Sequence, residues 1–312
     1  MNGEIFDPFL KQSGIVILDG AMSTELEKRG ADLKHVLWSA NLLTENPALI
    51  REVHLDYLKA GAQVITTASY QASFGGFEKQ GFSRERAVAL MRLSTTLAIE
   101  ARDEAVKLKH FSVSKPLIAA SIGPYGASLA DGSEYRGNYG LSVEELMLFH
   151  RERMKTLSES GADLLAFETI PCPQEAIALI RLLKEFPSTK AWISFCCKNE
   201  TQVSDGSDFA DSVALANKSE QVLAVGVNCT APQFVESLVR IAKKVSKKLI
   251  MAYPNKGDTW DAQNKCWLPS GRDTDFINEA LQWHHAGALL IGGCCRTSPS
   301  DIQKLSRAFC AS

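Results

Sequence analysis

Ala286-Gly287-Ala288-Leu289-Leu290-Ile291-Gly292-Gly293-Cys294-Cys295 is the stretch on which the fold turns. Its first half has the shape of two upstream segments, Ala60-Gly61-Ala62-Gln63-Val64-Ile65 and Ser160-Gly161-Ala162-Asp163-Leu164-Leu165. Each copy follows an amphipathic helical pattern. Glycine ends a helix readily because it accepts a left-handed backbone, and the apolar run behind it reads as a buried strand. Helix, stop, strand is therefore a unit that recurs along the chain.

Further apolar runs between the copies bring the strand candidates to eight: residues 15–19, 63–68, 117–122, 163–168, 191–196, 222–228, 249–253 and 289–291. Most are continuously apolar and do not alternate, the pattern of parallel strands covered on both faces. Helix starts lie between them. Asn46-Pro47 supplies a cap and a first-turn proline, Ser142-Val143-Glu144-Glu145 reads as a capping box, and Ser298-Pro299 opens a last helix. Strands alternating with helices predict an α/β fold, a (β/α)₈ TIM barrel forming a single domain over residues 1–312. A doubly wound open sheet is the runner-up. The longest non-periodic stretches, 123–140 and 255–271, follow strand candidates, where barrel enzymes carry loops that cover substrate.

Composition narrows the partners. Lys plus Arg number 34 and Asp plus Glu 36, a formal net charge of -2 that recommends neither nucleic acid nor an anionic membrane. The basic cluster Lys243-Lys244 with Lys247-Lys248 reads as a solvated helix end that complements the helix dipole. The stretch from Met1 to Pro8 has neither a basic start nor an apolar run, so no signal peptide is expected. No segment approaches the roughly 20 apolar residues of a membrane span. The expectation is a soluble, cytoplasmic protein whose eight cysteines do not form a disulfide framework.

Three of those cysteines point to chemistry. In a barrel the C-terminal ends of all strands converge on one mouth. Cys229 closes Val225-Gly226-Val227-Asn228-Cys229 after the sixth candidate, and Cys294-Cys295 follows the eighth. Strands six and eight flank the seventh, so the thiols can meet. Adjacent side chains on a regular strand face opposite ways, but Gly292-Gly293 lets the backbone turn sharply. Three thiolates make a tight Zn²⁺ site with one coordination position open, the mark of a chemical rather than a structural site. Singly, each cysteine is explained as well by core packing; the constellation is not. Cys196-Cys197 reads as packing, and Cys172, Cys266 and Cys310 lack ligand spacing.

Two carboxylates also fall at strand ends, Asp19 and Glu168. Either alone is equally a cap or half of an internal salt bridge; together at a mouth they suit an ammonium group. The turn Gly20-Ala21-Met22 opens the next helix, and its amides suit a carboxylate. Amine and carboxylate recognition beside a thiophilic metal points to an amino acid that carries a thiol.

At these residues the chain resembles the homocysteine S-methyltransferase family over nearly its whole length. The resemblance rests on Leu18-Asp19-Gly20-Ala21-Met22, Phe167-Glu168-Thr169, Gly226-Val227-Asn228-Cys229 and Gly292-Gly293-Cys294-Cys295. It implies a zinc-dependent (β/α)₈ barrel that methylates L-homocysteine to methionine. Its zinc ligands map to Cys229, Cys294 and Cys295, and its amino-acid-binding acids to Asp19 and Glu168. Thr169 joins Gly20, Ala21 and Met22 as an expected substrate contact. Two further segments, Thr67-Ala68-Ser69-Tyr70-Gln71-Ala72 and Ser121-Ile122-Gly123-Pro124-Tyr125-Gly126-Ala127 with Leu129 to Gly137, look like the branch that takes its methyl from S-methylmethionine. S-adenosylmethionine is expected to serve less well, since no glycine-rich nucleotide loop follows a strand. The betaine-using branch carries a C-terminal extension that helps build its oligomer. This chain stops at Ser312, so a monomer that does not use betaine is expected.

The sulfonium of such a donor is a cation suited to aromatic faces, with Tyr70, Tyr125, Tyr135, Tyr253 and Trp260 as candidates. No catalytic side chain is assigned beyond the metal-bound substrate thiolate. Selenocysteine Se-methylation within the same family is the near alternative. A different metal-dependent barrel enzyme is a further alternative, and a barrel lyase or aldolase using a lysine or a carboxylate is a rival class; no lysine sits at a strand end, which weighs against a Schiff base. A non-catalytic zinc or redox sensor would want a fourth ligand or a CxxC pair, which the chain lacks.

Overall fold

The computed structural model describes residues 5–31, 42–108, 110–111, 114–257, 259–261, 266–268 and 275–310. Eight parallel strands form its centre: β1 Val16–Ile17, β2 Val64–Thr66, β3 Leu117–Ile122, β4 Leu164–Ile170, β5 Ala191–Phe195, β6 Val222–Asn228, β7 Leu249–Tyr253 and β10 Leu290–Ile291. They pair in the order β1-β10-β7-β6-β5-β4-β3-β2. A parallel bridge from Leu18 to Val64 joins β1 to β2 and closes the sheet on itself. That closure decides for the (β/α)₈ barrel over the open sheet. The terminal strands β1 and β10 are only two residues long, shorter than their apolar runs suggest, because the chain turns early to place Asp19 and Gly292-Gly293. Two short antiparallel strands, β8 Thr259–Asp261 and β9 Cys266–Leu268, form a hairpin inside the stretch that showed no periodicity.

The helix stops behave as the repeated phrase predicts. Gly61, Gly161 and Gly287 take left-handed φ values of 102°, 91° and 122°. Asn46 caps the helix Pro47–Lys59 by accepting from the Leu49 amide at 3.2 Å. Ser142 and Glu145 form the reciprocal capping box of Val143–Ser158. Ser298 and Asp301 hold the start of Pro299–Cys310.

Each barrel strand is buried on both faces. One face, with Ile17, Ile65, Ile118, Leu165, Val225 and Ile250, packs against helix residues such as Val53, Leu90, Leu179, Leu238 and Trp283. The other face fills the barrel with Val16, Val64, Ala119, Leu164, Trp192, Ala224, Met251 and Leu290. Phe6 and Phe9, the latter in the helix Asp7–Ser13, join this inner cluster beside the residues that begin the strands, among them Leu117, Leu249 and Leu289. Burying a side chain of this size contributes about 1.5–3 kcal/mol. Among the described residues no helix is long and apolar enough to cross a membrane.

Candidate active site

The strand ends bring the three predicted thiols together. On β6, Gly226 lies so close to β7 that a Cβ there would fall 1.9 Å from the Met251 carbonyl oxygen. No larger residue fits at this position. Cys229 follows with a left-handed φ of 46°. After β10, the Gly293 amide donates to the Asp19 carbonyl at 3.0 Å and the Cys294 amide to the Pro254 carbonyl at 2.8 Å. A Cβ on Gly293 would collide with Thr297, so the turn is specific to glycine. The resulting Sγ separations are 2.6 Å for Cys229–Cys294, 3.8 Å for Cys229–Cys295 and 4.0 Å for Cys294–Cys295. The trio is placed to hold a metal ion. Donation from the Cys294 and Cys295 thiols holds the Cys229 sulfur well below the usual thiol range, against the effect of burial, with Thr169 and Tyr135 adding further hydrogen bonds.

Cys196 packs on this cluster. Its thiol donates to the Cys229 carbonyl at 3.1 Å, and burial pushes it up to about 12. A proton held that firmly makes Cys196 a support for the Cys229 backbone, in line with its reading as packing.

Opposing the thiols are the two carboxylates. Asp19 accepts from the Thr66 amide at 2.7 Å and from the Thr66 hydroxyl. Glu168 accepts from the hydroxyls of Ser121 and of Tyr253, the latter at 3.2 Å. Burial pushes Asp19 up to about 8 and Glu168 up to about 7. The buried Arg153 gives its guanidinium to the carbonyls of Gly123, Ser69 and Tyr70 instead. The two acids therefore face the cavity without a bonded cation among the described residues.

One cavity unites most of the predicted residues. Asp19, Gly20, Ala21, Met22, Tyr70, Glu168, Thr169, Cys229, Tyr253, Cys294 and Cys295 all line it, together with Tyr135. The Ala21 amide is already engaged by Thr297 at 3.3 Å, which takes one donor away from the expected carboxylate contact. Tyr125 is a correction. Its ring packs against Tyr139 and Phe149, with centroids 5.2 and 5.0 Å away, and it does not line the cavity. The Tyr125 amide donates to Glu175 at 2.6 Å, so this tyrosine anchors its loop to the neighbouring helix. The side chain of Trp260 lies outside the described residues.

Asn228 was not singled out from sequence. Its Oδ1 accepts from the Thr169 amide at 2.7 Å and the Ser194 hydroxyl at 2.8 Å, and its Nδ2 donates to the Thr169 hydroxyl at 2.8 Å. This holds Thr169 at a φ of 60°. Because the Thr169 oxygen accepts from Asn228, its own proton is free to point at Cys229. The signal was a lone amide closing the apolar run from Val222 to Val227.

A family model described as homocysteine S-methyltransferase matches residues 16–309. The chain belongs to the homocysteine S-methyltransferase family. It is 51% identical over 294 residues to homocysteine S-methyltransferase YbgG of Bacillus subtilis (strain 168), covering 94% of this chain and 93% of that protein. It is 46% identical to homocysteine S-methyltransferase 1 of Arabidopsis thaliana, covering 96% of this chain and 95% of the relative. Among solved structures it is similar to the metallated form of the homocysteine methyltransferase MmuM from Escherichia coli. That match has a TM-score of 0.86 at 43% identity, covering 97% of this chain and 99% of the other.

Proposed function

We propose that the protein is a zinc-dependent methyltransferase that moves a methyl group from S-methylmethionine to the thiol of L-homocysteine, giving methionine. The observation that carries this reading is the meeting of three cysteine sulfurs and two desolvated carboxylates in one cavity. The donor set fits zinc. Zn–S bonds of about 2.3 Å in a tetrahedron put sulfurs about 3.8 Å apart, and two of the three separations are 3.8 and 4.0 Å. The Cys229–Cys294 pair at 2.6 Å would have to open. A bound zinc would supply a Lewis acid that keeps the substrate sulfur as thiolate at neutral pH, where a free thiol near ~8.5 is mostly protonated.

The chain's own residues then bind and align. Asp19 and Glu168 ionise against the ammonium group of the amino acid, which restores the charge partner that burial denies them. Ser121, Tyr253 and Thr66 fix the two carboxylates by hydrogen bonds. Tyr70, Tyr135 and Tyr253 offer rings to a sulfonium, each contact worth about 0.5–2 kcal/mol. Holding thiolate and methyl carbon in line supplies the orientation that such a transfer requires.

The test is a donor competition on purified protein with homocysteine present, with zinc content measured alongside. S-methylmethionine should show the highest specificity constant, S-adenosylmethionine a lower one and betaine the lowest. A higher constant for betaine overturns the donor assignment, and full turnover without bound zinc overturns the metal.

A further inference from the structure

We propose that Arg153 is a positioning residue for methyl transfer: its guanidinium clamps the loops after β2 and β3 and thereby sets Tyr70 in the cavity wall. The step from clamp to catalysis rests on the proposed reaction with a cationic donor. The clamp itself rests on geometry.

Arg153 belongs to the helix Val143–Ser158 and is 1% exposed. A cation buried this far is costly and ordinarily sits against a carboxylate. Here its hydrogen bonds go to three main-chain carbonyls. Nη1 donates to Gly123 at 2.8 Å, and Nη2 donates to Ser69 at 2.9 Å and to Tyr70. Nε has no partner among the described residues, so the placement does not serve the cation's own solvation. It serves a junction. Ser69 and Tyr70 follow β2, Gly123 follows β3, and a guanidinium holds carbonyls on both because its N–H groups form a rigid fork.

The junction is close-packed. The Gly123 amide donates to the Tyr70 carbonyl at 3.2 Å. The Ser69 hydroxyl donates to the Ser121 carbonyl at 2.7 Å, and the Ser121 amide to the Thr67 hydroxyl at 3.0 Å. A Cβ on Gly123 would fall 2.6 Å from the Tyr70 ring and 2.6 Å from its carbonyl oxygen. Gly123 is not in left-handed backbone, so it is this contact that demands glycine. Tyr70 also lines the cavity, with Thr169, Tyr135 and the three cysteines, whereas Arg153 does not. Tyr70 is thus the clamped residue whose side chain reaches the site.

A sulfonium is held by aromatic rings while it carries its charge, and that charge disappears as the methyl group leaves. Misplacing Tyr70 should therefore raise the donor KM more than it lowers kcat. Homocysteine, whose ammonium group meets Asp19 and Glu168, should be spared, and so should the metal.

Two variants test this. Arg153→Lys keeps the charge but replaces the fork by a single ammonium. Gly123→Ala disturbs the same junction from the opposite loop. Protein carrying 3-fluorotyrosine reports on Tyr70 with no ligand present, its fluorine resonance assigned with Tyr70→Phe and that of Tyr253 with Tyr253→Phe. Both variants should shift the Tyr70 resonance and leave that of Tyr253 in place. The donor KM should rise about tenfold in each, with homocysteine affinity and zinc content within about twofold of the wild type. In a Tyr70→Ala background Arg153→Lys should add no further rise, because residues that act as a unit are not additive. An unmoved Tyr70 resonance in both variants overturns the clamp. A full additional rise on top of Tyr70→Ala, or an equal loss of homocysteine affinity, overturns the route through Tyr70. Gly123→Ala leaves the buried cation untouched, so it reads the junction even where Arg153→Lys does not fold, and an unmoved Tyr70 with unchanged donor KM there overturns the proposal. A wild type that transfers no methyl group from S-methylmethionine, with Tyr70 displaced in the variants, overturns the proposed reaction and leaves the clamp standing.

Discussion

Where its strands begin, the barrel is filled by Phe6, Phe9, Val16, Leu164 and Leu223; where they finish, it holds Asp19, Glu168 and three cysteines. The first end has relaxed, apolar packing. The second carries non-glycine residues in left-handed backbone, among them Thr169, Cys229 and Arg296 at φ 60°, 46° and 71°. Each such residue stores on the order of 1–3 kcal/mol. It also carries carboxylates whose ionisation burial opposes and sulfurs crowded to 2.6 Å. One end stabilises the fold, and the other spends part of that stability on a site that only a ligand completes.

The sharpest way to break the comparison is to damage each end and ask what is lost. Cys294→Ser or Cys229→Ser should abolish metal binding and methyl transfer, because a neutral hydroxyl is a poor substitute for thiolate. The metal-free variant should melt at nearly the temperature of the wild type stripped of its metal, below that of the metal-loaded wild type. Metal analysis and turnover check this, and an active, metal-free Cys294→Ser protein would sink the zinc reading. Phe9→Ala attacks the other end. It should lower stability by about 3–5 kcal/mol in urea denaturation, the range for deleting a buried aromatic side chain. Turnover per folded molecule should stay at the wild-type value. If Phe9→Ala instead lowered kcat, the two ends would not be separable.

Within the mouth, Glu168→Gln and Asp19→Asn come next. Each removes a charge-assisted bond to the ammonium group, worth roughly 1.5–3 kcal/mol, and should weaken homocysteine binding by that amount with zinc content unchanged. Calorimetric titration measures it. Normal homocysteine affinity in both variants would assign these acids another role.

The two ends also differ in how far sequence reveals them. Apolar runs such as 222–228 and 249–253 match β6 and β7 to the residue, because burial on both faces leaves no polar position to blur the edges. The glycine stops read correctly for an equally local reason, the left-handed turn after each helix. Cys229, Cys294, Cys295, Asp19 and Glu168 were legible because each sits where a strand ends, a place that the barrel itself defines. The loop residues were not. Tyr125 and Tyr135 belong to one aromatic-rich segment, and only packing sends the first against Phe149 and the second onto the sulfurs. Asn228 acts through Thr169 and Ser194, partners far away in sequence, which no local period encodes.

The smallest expected effect is a slope of stability against pH, and it tests the claim that the mouth works against the fold. Burial raises Asp19 from 3.8 to about 8 and Glu168 from 4.5 to about 7, and Glu168 contributes to the shift of Asp19 by like-charge repulsion. A carboxyl group with a raised folded pKa binds its proton more tightly in the folded state. Its contribution is fully present below the unfolded pKa and is lost as pH rises toward the folded value. Stability should therefore fall between about pH 4 and pH 8, on the order of 1 kcal/mol per pH unit for each group at most. Asp19→Asn cannot ionise, so its melting temperature should match the wild type near pH 4 and exceed it increasingly toward pH 8. Glu168→Gln should act over a narrower window, ending near pH 7, and should also bring the Asp19 transition to lower pH by removing the repulsion. Homocysteine binding should reverse the sign: the ammonium group stabilises the ionised carboxylates, so binding near neutral pH should release protons, read as a dependence of the binding heat on buffer ionisation enthalpy. Melting curves of wild type and Asp19→Asn that stay parallel from pH 4 to pH 8 would show that the mouth carries no such cost.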